Sequence, residues 1–152
     1  MENVEIIKAT NYLLLETCFD IRKRVFVDEK GVSPQIERDE YDITGEKDGK
    51  PTADFFILKC DGIPCGAVRI FLSDDKTVKV QRFCILGEYR GRGLGERFLQ
   101  YLEGYYAERG VEEIWLDAKC EASGFYEKGG YKSISDKFFE AGVAHVKMMK
   151  RL

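Results

Sequence analysis

The run Glu88-Tyr89-Arg90-Gly91-Arg92-Gly93-Leu94-Gly95 joins a β-branched and aromatic stretch, Val78 to Leu86, to an amphipathic one, Glu96 to Arg109. Strand, glycine-rich turn and helix start, in that order, make a backbone anion cradle. Glycines let main-chain N–H groups approach a phosphate closely, and a helix N-terminus adds unpaired donors and partial positive charge. The side chains of Arg90 and Arg92 add full charges at the same place. This chemistry suits a phosphorylated ligand. The Walker form is excluded, because no Lys-Ser/Thr pair follows the last glycine. A Rossmann site needs its glycines after the first strand of a βαβ unit, whereas strands in hairpin order precede these. A tight turn with solvated arginines is the plainer alternative.

Other side chains could move protons or bond covalently. His145, the only histidine, faces away from Val146 and Met148 on the last predicted strand. Its imidazole can take a proton near pH 7 or simply bond a carbonyl. Cys84 is a poor covalent nucleophile, with no histidine adjacent in sequence. The cysteines, Cys18, Cys60, Cys65, Cys84 and Cys120, are odd in number and match no disulfide framework, so reduced thiols are expected. Cys60 and Cys65 flank a predicted hairpin turn, but two thiols and a distant histidine make a poor zinc set, and no metal is expected.

The elements that must position these groups follow from pattern. The 152 residues, 44% hydrophobic and 34% charged, read as one soluble domain spanning 1–152 with a core that needs no staples. A net charge of −3 argues against nucleic-acid binding by bulk charge. No apolar run is long enough for a bilayer, and no signal-peptide pattern is present, so no membrane association and a cytoplasmic location are expected. Val4 to Ile7 reads as a strand. Thr10 is placed to cap a helix whose Leu14, Cys18, Ile21 and Val25 share a face, ending at Gly31. Ser33-Pro34 starts a second short helix. From Glu37 to Lys50 charge dominates, and Gly45, Gly49 and Pro51 mark a mobile loop. Ala53 to Cys60, Ile63 to Leu72 and Thr77 to Leu86 form an antiparallel meander, with Asp61-Gly62 as a two-residue hairpin turn. The helix after the cradle turns Leu94, Phe98, Leu102 and Tyr105 inward. Glu113 to Ala118 follows a crossover and so lies parallel to the strand before it. A short helix from Ala122 to Lys128, a strand from Tyr131 to Ile134, a loop around Gly142 and a last strand from Val143 to Met149 complete the chain.

Arg90-Gly91-Arg92-Gly93-Leu94-Gly95 resembles the acyl-CoA signature of the GNAT superfamily of N-acyltransferases, Gln/Arg-x-x-Gly-x-Gly/Ala. Gln81-Arg82-Phe83-Cys84-Ile85 resembles its pantetheine-bearing strand, and Ala122 to Tyr131 its "A-x-x-F-Y-x-K-x-G-F/Y" segment. The order of elements matches across almost the whole chain. A narrower match, Ile21 to Glu29 with Glu37, Asp39, Asp42 and the "H-x-x-M" of His145 to Met148, resembles the ElaA/YjcF-like branch. The resemblance implies an α/β (α+β) GNAT acyl-CoA N-acyltransferase fold: a mixed, mostly antiparallel sheet flanked by helices on both faces, with a V-shaped cleft between its central strands.

It also implies a function: transfer of an acetyl group from acetyl-CoA to a primary amine, by direct attack in a ternary complex. The co-substrate would rest on Phe83, Cys84 and Ile85 and on the cradle from Arg90 through Gly91, Arg92, Gly93 and Leu94 to Gly95. A backbone N–H of that strand would face the thioester oxygen. Tyr126 would lie near the CoA sulfur as general acid, or else pack beside Phe125. Glu29, Glu37 and Asp39 lie on the implied acceptor wall, with Glu37 the first choice as general base and His145 another candidate. Many relatives have Leu-Asn-Ala-Gln, whose asparagine contacts the CoA arm; this chain has Leu116-Asp117-Ala118-Lys119, so the resemblance places Asp117 at that cofactor contact, although it cannot donate as an amide does. The acidic residues from Glu37 to Asp48 point to a cationic acceptor. Rival readings are a non-catalytic acyl-CoA-binding sensor and a nucleotide-phosphate binder of another class. The sheet edges leave homodimer formation open.

Overall fold

A computed structural model describes residues 2–42, 46–47 and 50–152, with side chains described for all of these except 46, 47, 50 and 51. Of the expected mobile loop, Gly45, Asp48 and Gly49 lie outside the described residues, whereas Glu46–Lys47 and Lys50–Pro51 pair as a short antiparallel ladder.

Strand β1 (Val4–Lys8) leads into helix α1 (Tyr12–Arg22). Its cap is Asn11 rather than Thr10: the Asn11 side chain accepts from the Leu14 N–H at 2.9 Å. The helix widens into a π-helical segment, Lys23–Glu29, and Gly31 at φ 75° turns the chain out of it. Cys18, Ile21 and Val25 are buried as their spacing requires, with Leu14 packed beside them. After the short helix α2 (Pro34–Glu37) come β2 (Ala53–Cys60), β3 (Ile63–Leu72) and β4 (Thr77–Ile85). Asp61 and Gly62 both have positive φ, 51° and 80°, as a primed hairpin turn demands. The chain then runs through α3 (Leu94–Ala107), β5 (Glu113–Lys119), α4 (Ser123–Lys128), β6 (Lys132–Ser133), β7 (Phe138–Glu140) and β8 (Val143–Arg151).

The main sheet runs β1-β2-β3-β4-β5-β8-β6, with β7 also paired to β8. Every pairing is antiparallel except β4 with β5, as the crossover through α3 requires. Helix α1 packs on one face, where Phe19 meets Phe55 edge-on at 5.8 Å. Helix α3 packs on the other, where Phe56 sits beneath Tyr101, Tyr105 and Tyr106. Burying each such aromatic contributes roughly 1.5–3 kcal/mol. The inward stripe of α3 is Leu94, Phe98, Leu99, Leu102 and Tyr106. Tyr105, expected on it, is only half-buried, and Tyr106 goes deeper because its hydroxyl donates to Asp54 at 2.6 Å. All five cysteines are unpaired. Among the described residues, no helix is long and apolar enough to cross a membrane.

Candidate active site

The cleft begins where two strands part. β4 and β5 pair only at Thr77, Val78 and Lys79, opposite Glu113, Ile114 and Trp115. Beyond Lys79, no strand among the described residues lies beside that edge of β4. On its other edge β4 stays bonded to β3, but irregularly: Ala67 pairs with Cys84 and Arg69 with Gln81, so Arg82 and Phe83 together oppose Val68. This is a β-bulge, and it turns β4 away from β5. Arg82 takes φ 54°, a left-handed conformation rare for a side chain that long. Its guanidinium holds the bend by donating to the Glu37 carbonyl at 3.1 Å and to Asp39 at 3.4 Å. Burial, with Arg69 and Arg22 close by, pulls the Arg82 pKa below its ordinary value. Nothing in the residue pattern marked Arg82, because a bulge becomes visible only when the partner strand is in place.

At the far end of β4 a single 3-10 turn, Gly87–Tyr89, leads into the cradle. Gly91 and Gly93 both sit at φ 77°, and Gly93 occupies the N-cap position of α3 without any side-chain cap. Only glycine takes that conformation cheaply. The first N–H groups of α3 therefore point outward without intrahelical partners. The Arg90 N–H does not join them, since it bonds the Gly87 carbonyl at 3.2 Å. Nor is the Arg90 side chain a free cation: it grips Glu29 with two bonds of 2.7 and 2.9 Å and donates to the Ile85 carbonyl. The Arg90 hydrogen bond holds the Glu29 carboxyl below its usual range. Arg92 lies over the Tyr89 ring and reaches Glu2 and the Glu88 carbonyl.

Phe83 packs against Phe98 at 5.5 Å and Phe125 at 6.2 Å, beside the start of α3. A Cβ on Gly95 would come within 3.4 Å of Phe125, so this glycine lets α4 close over the helix start. The Cys84 thiol is buried in the core beside Cys18, and that burial pushes its pKa up to about 12. Cys84 can line a slot through its backbone only. Ile85 is buried against Gly66, where a Cβ would stand 2.8 Å from its side chain. Tyr126 packs between Phe125 and Tyr131 at 5.1 and 5.8 Å. Burial raises its phenol to about 12, so it carries its proton at neutral pH.

Glu37 is placed differently from a working base. It is 4% exposed, and both carboxylate oxygens bond Arg22, at 2.7 and 3.2 Å. Arg22 is fully buried and also bonds Asp42 through two nitrogens. Asp42 bonds Arg69, and Arg69 holds Asp39 at 2.6 and 2.9 Å and Gln81 at 2.9 Å. Burial alone would lift the Asp42 carboxyl, but the hydrogen bonds and charge of Arg22 win and hold it at about 2. Three members of the acidic run expected to face a cationic acceptor, Glu37, Asp39 and Asp42, are thus neutralised by buried arginines. Sequence reading missed this because the partners lie far away along the chain.

On the opposite wall Asp117 meets Lys79 at 2.9 Å across the opening of the V, while its other oxygen is enclosed with no hydrogen-bond donor among the described residues. His145 stacks on Phe138 at 5.8 Å, with Nδ1 2.8 Å from the Val143 carbonyl. A carbonyl only accepts, so Nδ1 carries a hydrogen, and the neutral tautomer this selects has its lone pair on Nε2. His145 lies opposite Lys119 at the end of β5.

Known proteins share this arrangement. The acetyltransferase (GNAT) domain family matches residues 29–152. The N-acetyltransferase YjcF of Bacillus subtilis, itself uncharacterized, is 35% identical over 144 residues, covering 93% of this chain and 96% of YjcF. The crystal structure of Escherichia coli ElaA superposes with a TM-score of 0.80 at 19% identity, over 99% of each chain. An aminoglycoside 6′-N-acetyltransferase complexed with coenzyme A superposes with a TM-score of 0.74 at 16% identity, over 98% of this chain and 96% of that one. Those structural likenesses show the shared fold. The family match spans most of the chain, and the chain belongs to the GNAT acetyltransferases.

Proposed function

We infer that the protein binds acetyl-CoA along the free edge of β4 and passes its acetyl group directly to a primary amine. The observation that carries this is a stretch of backbone left open at both ends, with the Ile85 carbonyl and the Arg90 N–H between them already bonded. It runs from the open edge of β4 beyond Lys79 to the uncapped start of α3 at Gly93. Acetyl-CoA supplies a diphosphate, an amide-bearing arm and a thioester. The N–H groups from Gly91 to Gly95 suit the diphosphate. The edge at Phe83, Cys84 and Ile85 suits the arm, which can pair as an added strand would. The bulge at Arg82 turns main-chain groups toward the vertex, where a donor can face the thioester oxygen.

Tyr126 is the proton donor for the leaving thiolate in this reading. Its raised pKa keeps the hydroxyl protonated, and no described residue takes its hydrogen bond. His145 Nε2 has a lone pair in an orientation fixed by the Val143 carbonyl, which makes it the better-placed base. Glu37 could serve as base only by giving up an oxygen now bonded to Arg22. In this proposal it anchors Arg22 and, through its carbonyl, the bulge residue Arg82. Unpaired thiols fit a cytoplasmic setting.

Calorimetric titration with acetyl-CoA tests the reading. Saturable binding is expected, with release of free thiol when a suitable amine is added. Absence of binding at millimolar acetyl-CoA would overturn it. Binding without thiol release across a broad amine library would favour a sensor.

A further inference from the structure

The open face of the sheet around the cleft vertex carries more positive than negative charge. Lys79 and Trp115 are the last paired residues before β4 and β5 separate. On β8, Lys147 lies directly opposite Asp117. Yet Lys147 makes no ion pair with it. Its ammonium instead rests 4.6 Å from the centre of the Trp115 ring, and Lys79 also stands 4.6 Å from that ring. One indole thus supports a pair of ammonium groups. Lys119 points to the same face, two residues beyond Asp117. Asp117 is the single carboxylate bonded to this set among the described residues, and Lys79 already holds one of its oxygens.

Two ammonium groups held on one ring gain from an anion placed near either of them. A ring-bound ammonium loses water on the indole side and keeps its donors for the open side. The face is therefore short of a negative group beside Lys147. Asp117 also has acceptor capacity unmet in this conformation, because its enclosed second oxygen has no donor among the described residues. Directly opposite residues of an antiparallel pair hold their Cβ atoms about 4.5–5.5 Å apart. A ligand that met both needs would carry an N–H and an anionic group only a few bonds from each other. The spare Asp117 oxygen disfavours a dianion and suits a singly charged one.

We propose that the amine acceptor is an amino acid or similar short amino-carboxylate, whose carboxylate is bound by Lys147 and Lys79 over Trp115 and whose amine is directed to Asp117. This rests on the acetyl-transfer reading above and names its substrate class. Lys147 is a specificity residue here and takes no part in the transfer itself.

Trp115 is the only tryptophan in the chain, so its emission reports on this shelf directly. The probes are matched sets: free L-amino acids, their C-terminal amides, the amines lacking the carboxylate, and phosphoethanolamine. Each is titrated into wild type and the Lys147→Gln and Lys147→Arg variants, with circular dichroism as a fold control. Thiol release with acetyl-CoA is measured in parallel. The expected result is a saturable emission change with the free acids, at least about tenfold weaker with the amides and simple amines. Lys147→Gln should erase that preference, Lys147→Arg should largely restore it, and acetyl-CoA affinity should stay within about twofold. Equal responses to acid and amide, a stronger response to the phosphate ester, no saturable change with any probe, or no effect of Lys147→Gln would each overturn the proposal. If the carboxylate response appears while acetyl-CoA fails to bind, the shelf stands and the acetyl-transfer reading falls. The reverse result removes the shelf alone.

Discussion

Two charged regions flank the cleft, and they are built in opposite ways. Beneath α1 and α2, Arg22, Glu37, Asp42, Arg69 and Asp39 form a chain in which each side chain bonds at least one oppositely charged partner. Across the vertex, Lys79, Asp117 and Lys147 share a tryptophan, one ion pair and an oxygen with no donor. Buried charge must be matched or it costs several kcal/mol, so a saturated network holds structure and has little left for a ligand. A half-exposed set with unmatched groups costs less because water screens it, and it keeps capacity for binding. Glu37 and Asp117 are both carboxylates in the cleft region. Their partner sets, not their residue types, separate a fully bonded carboxylate from one with an unmet oxygen.

The sharpest way to break this comparison is to unmatch the saturated side. Arg22→Ala leaves Glu37 and Asp42 buried without a cation and should destabilise the fold by about 3–5 kcal/mol in urea unfolding. A loss below about 1 kcal/mol would mean that the network is wetter than it looks. Tyr126→Phe should lower turnover about a hundredfold while acetyl-CoA affinity stays within about twofold, measured by thiol release and calorimetry. Wild-type turnover would return Tyr126 to a packing role. Gly93→Ala forces a side chain into left-handed backbone at the cradle and should weaken acetyl-CoA binding about tenfold or more, with about 1–2 kcal/mol of lost stability.

Acid titration sharpens the contrast without large losses. The Asp42 pKa lies at about 2 in the folded chain, below the usual 3.8. Its contribution to stability is therefore complete above the usual value and fades as pH falls from there through the folded value. Stability measured across that window should fall more steeply for wild type than for Asp42→Asn. The smallest effect is expected on the exposed side of the cradle. Glu29→Gln loosens an ion pair that is 41% exposed on each side, and should leave the urea unfolding midpoint nearly unchanged.

Much of this was legible along the chain. The meander, the hairpin turn at Asp61-Gly62 and the crossover helix follow from alternation, turn chemistry and 3.6-residue spacing, all of which act between neighbours in sequence. The cradle was legible for the same reason: Gly91, Gly93 and the start of α3 are contiguous, and positive φ at those glycines is a local requirement. The cap at Asn11 rather than Thr10 shows the usual limit, since adjacent residues can both cap and local geometry chooses. The short strand Phe138–Glu140 was not legible because it exists only by pairing with β8.

What the sequence determined by itself was the order of elements and the glycine turn that opens α3. Tertiary structure alone decided which charges are spent. Arg22 reaches Glu37 across 15 positions, Arg69 reaches Asp39 across 30 and Arg90 reaches Glu29 across 61. Backbone preferences act over a few residues, whereas a charge is compensated by whatever the fold brings within a few ångströms. A carboxylate's availability for chemistry is therefore a property of the folded chain.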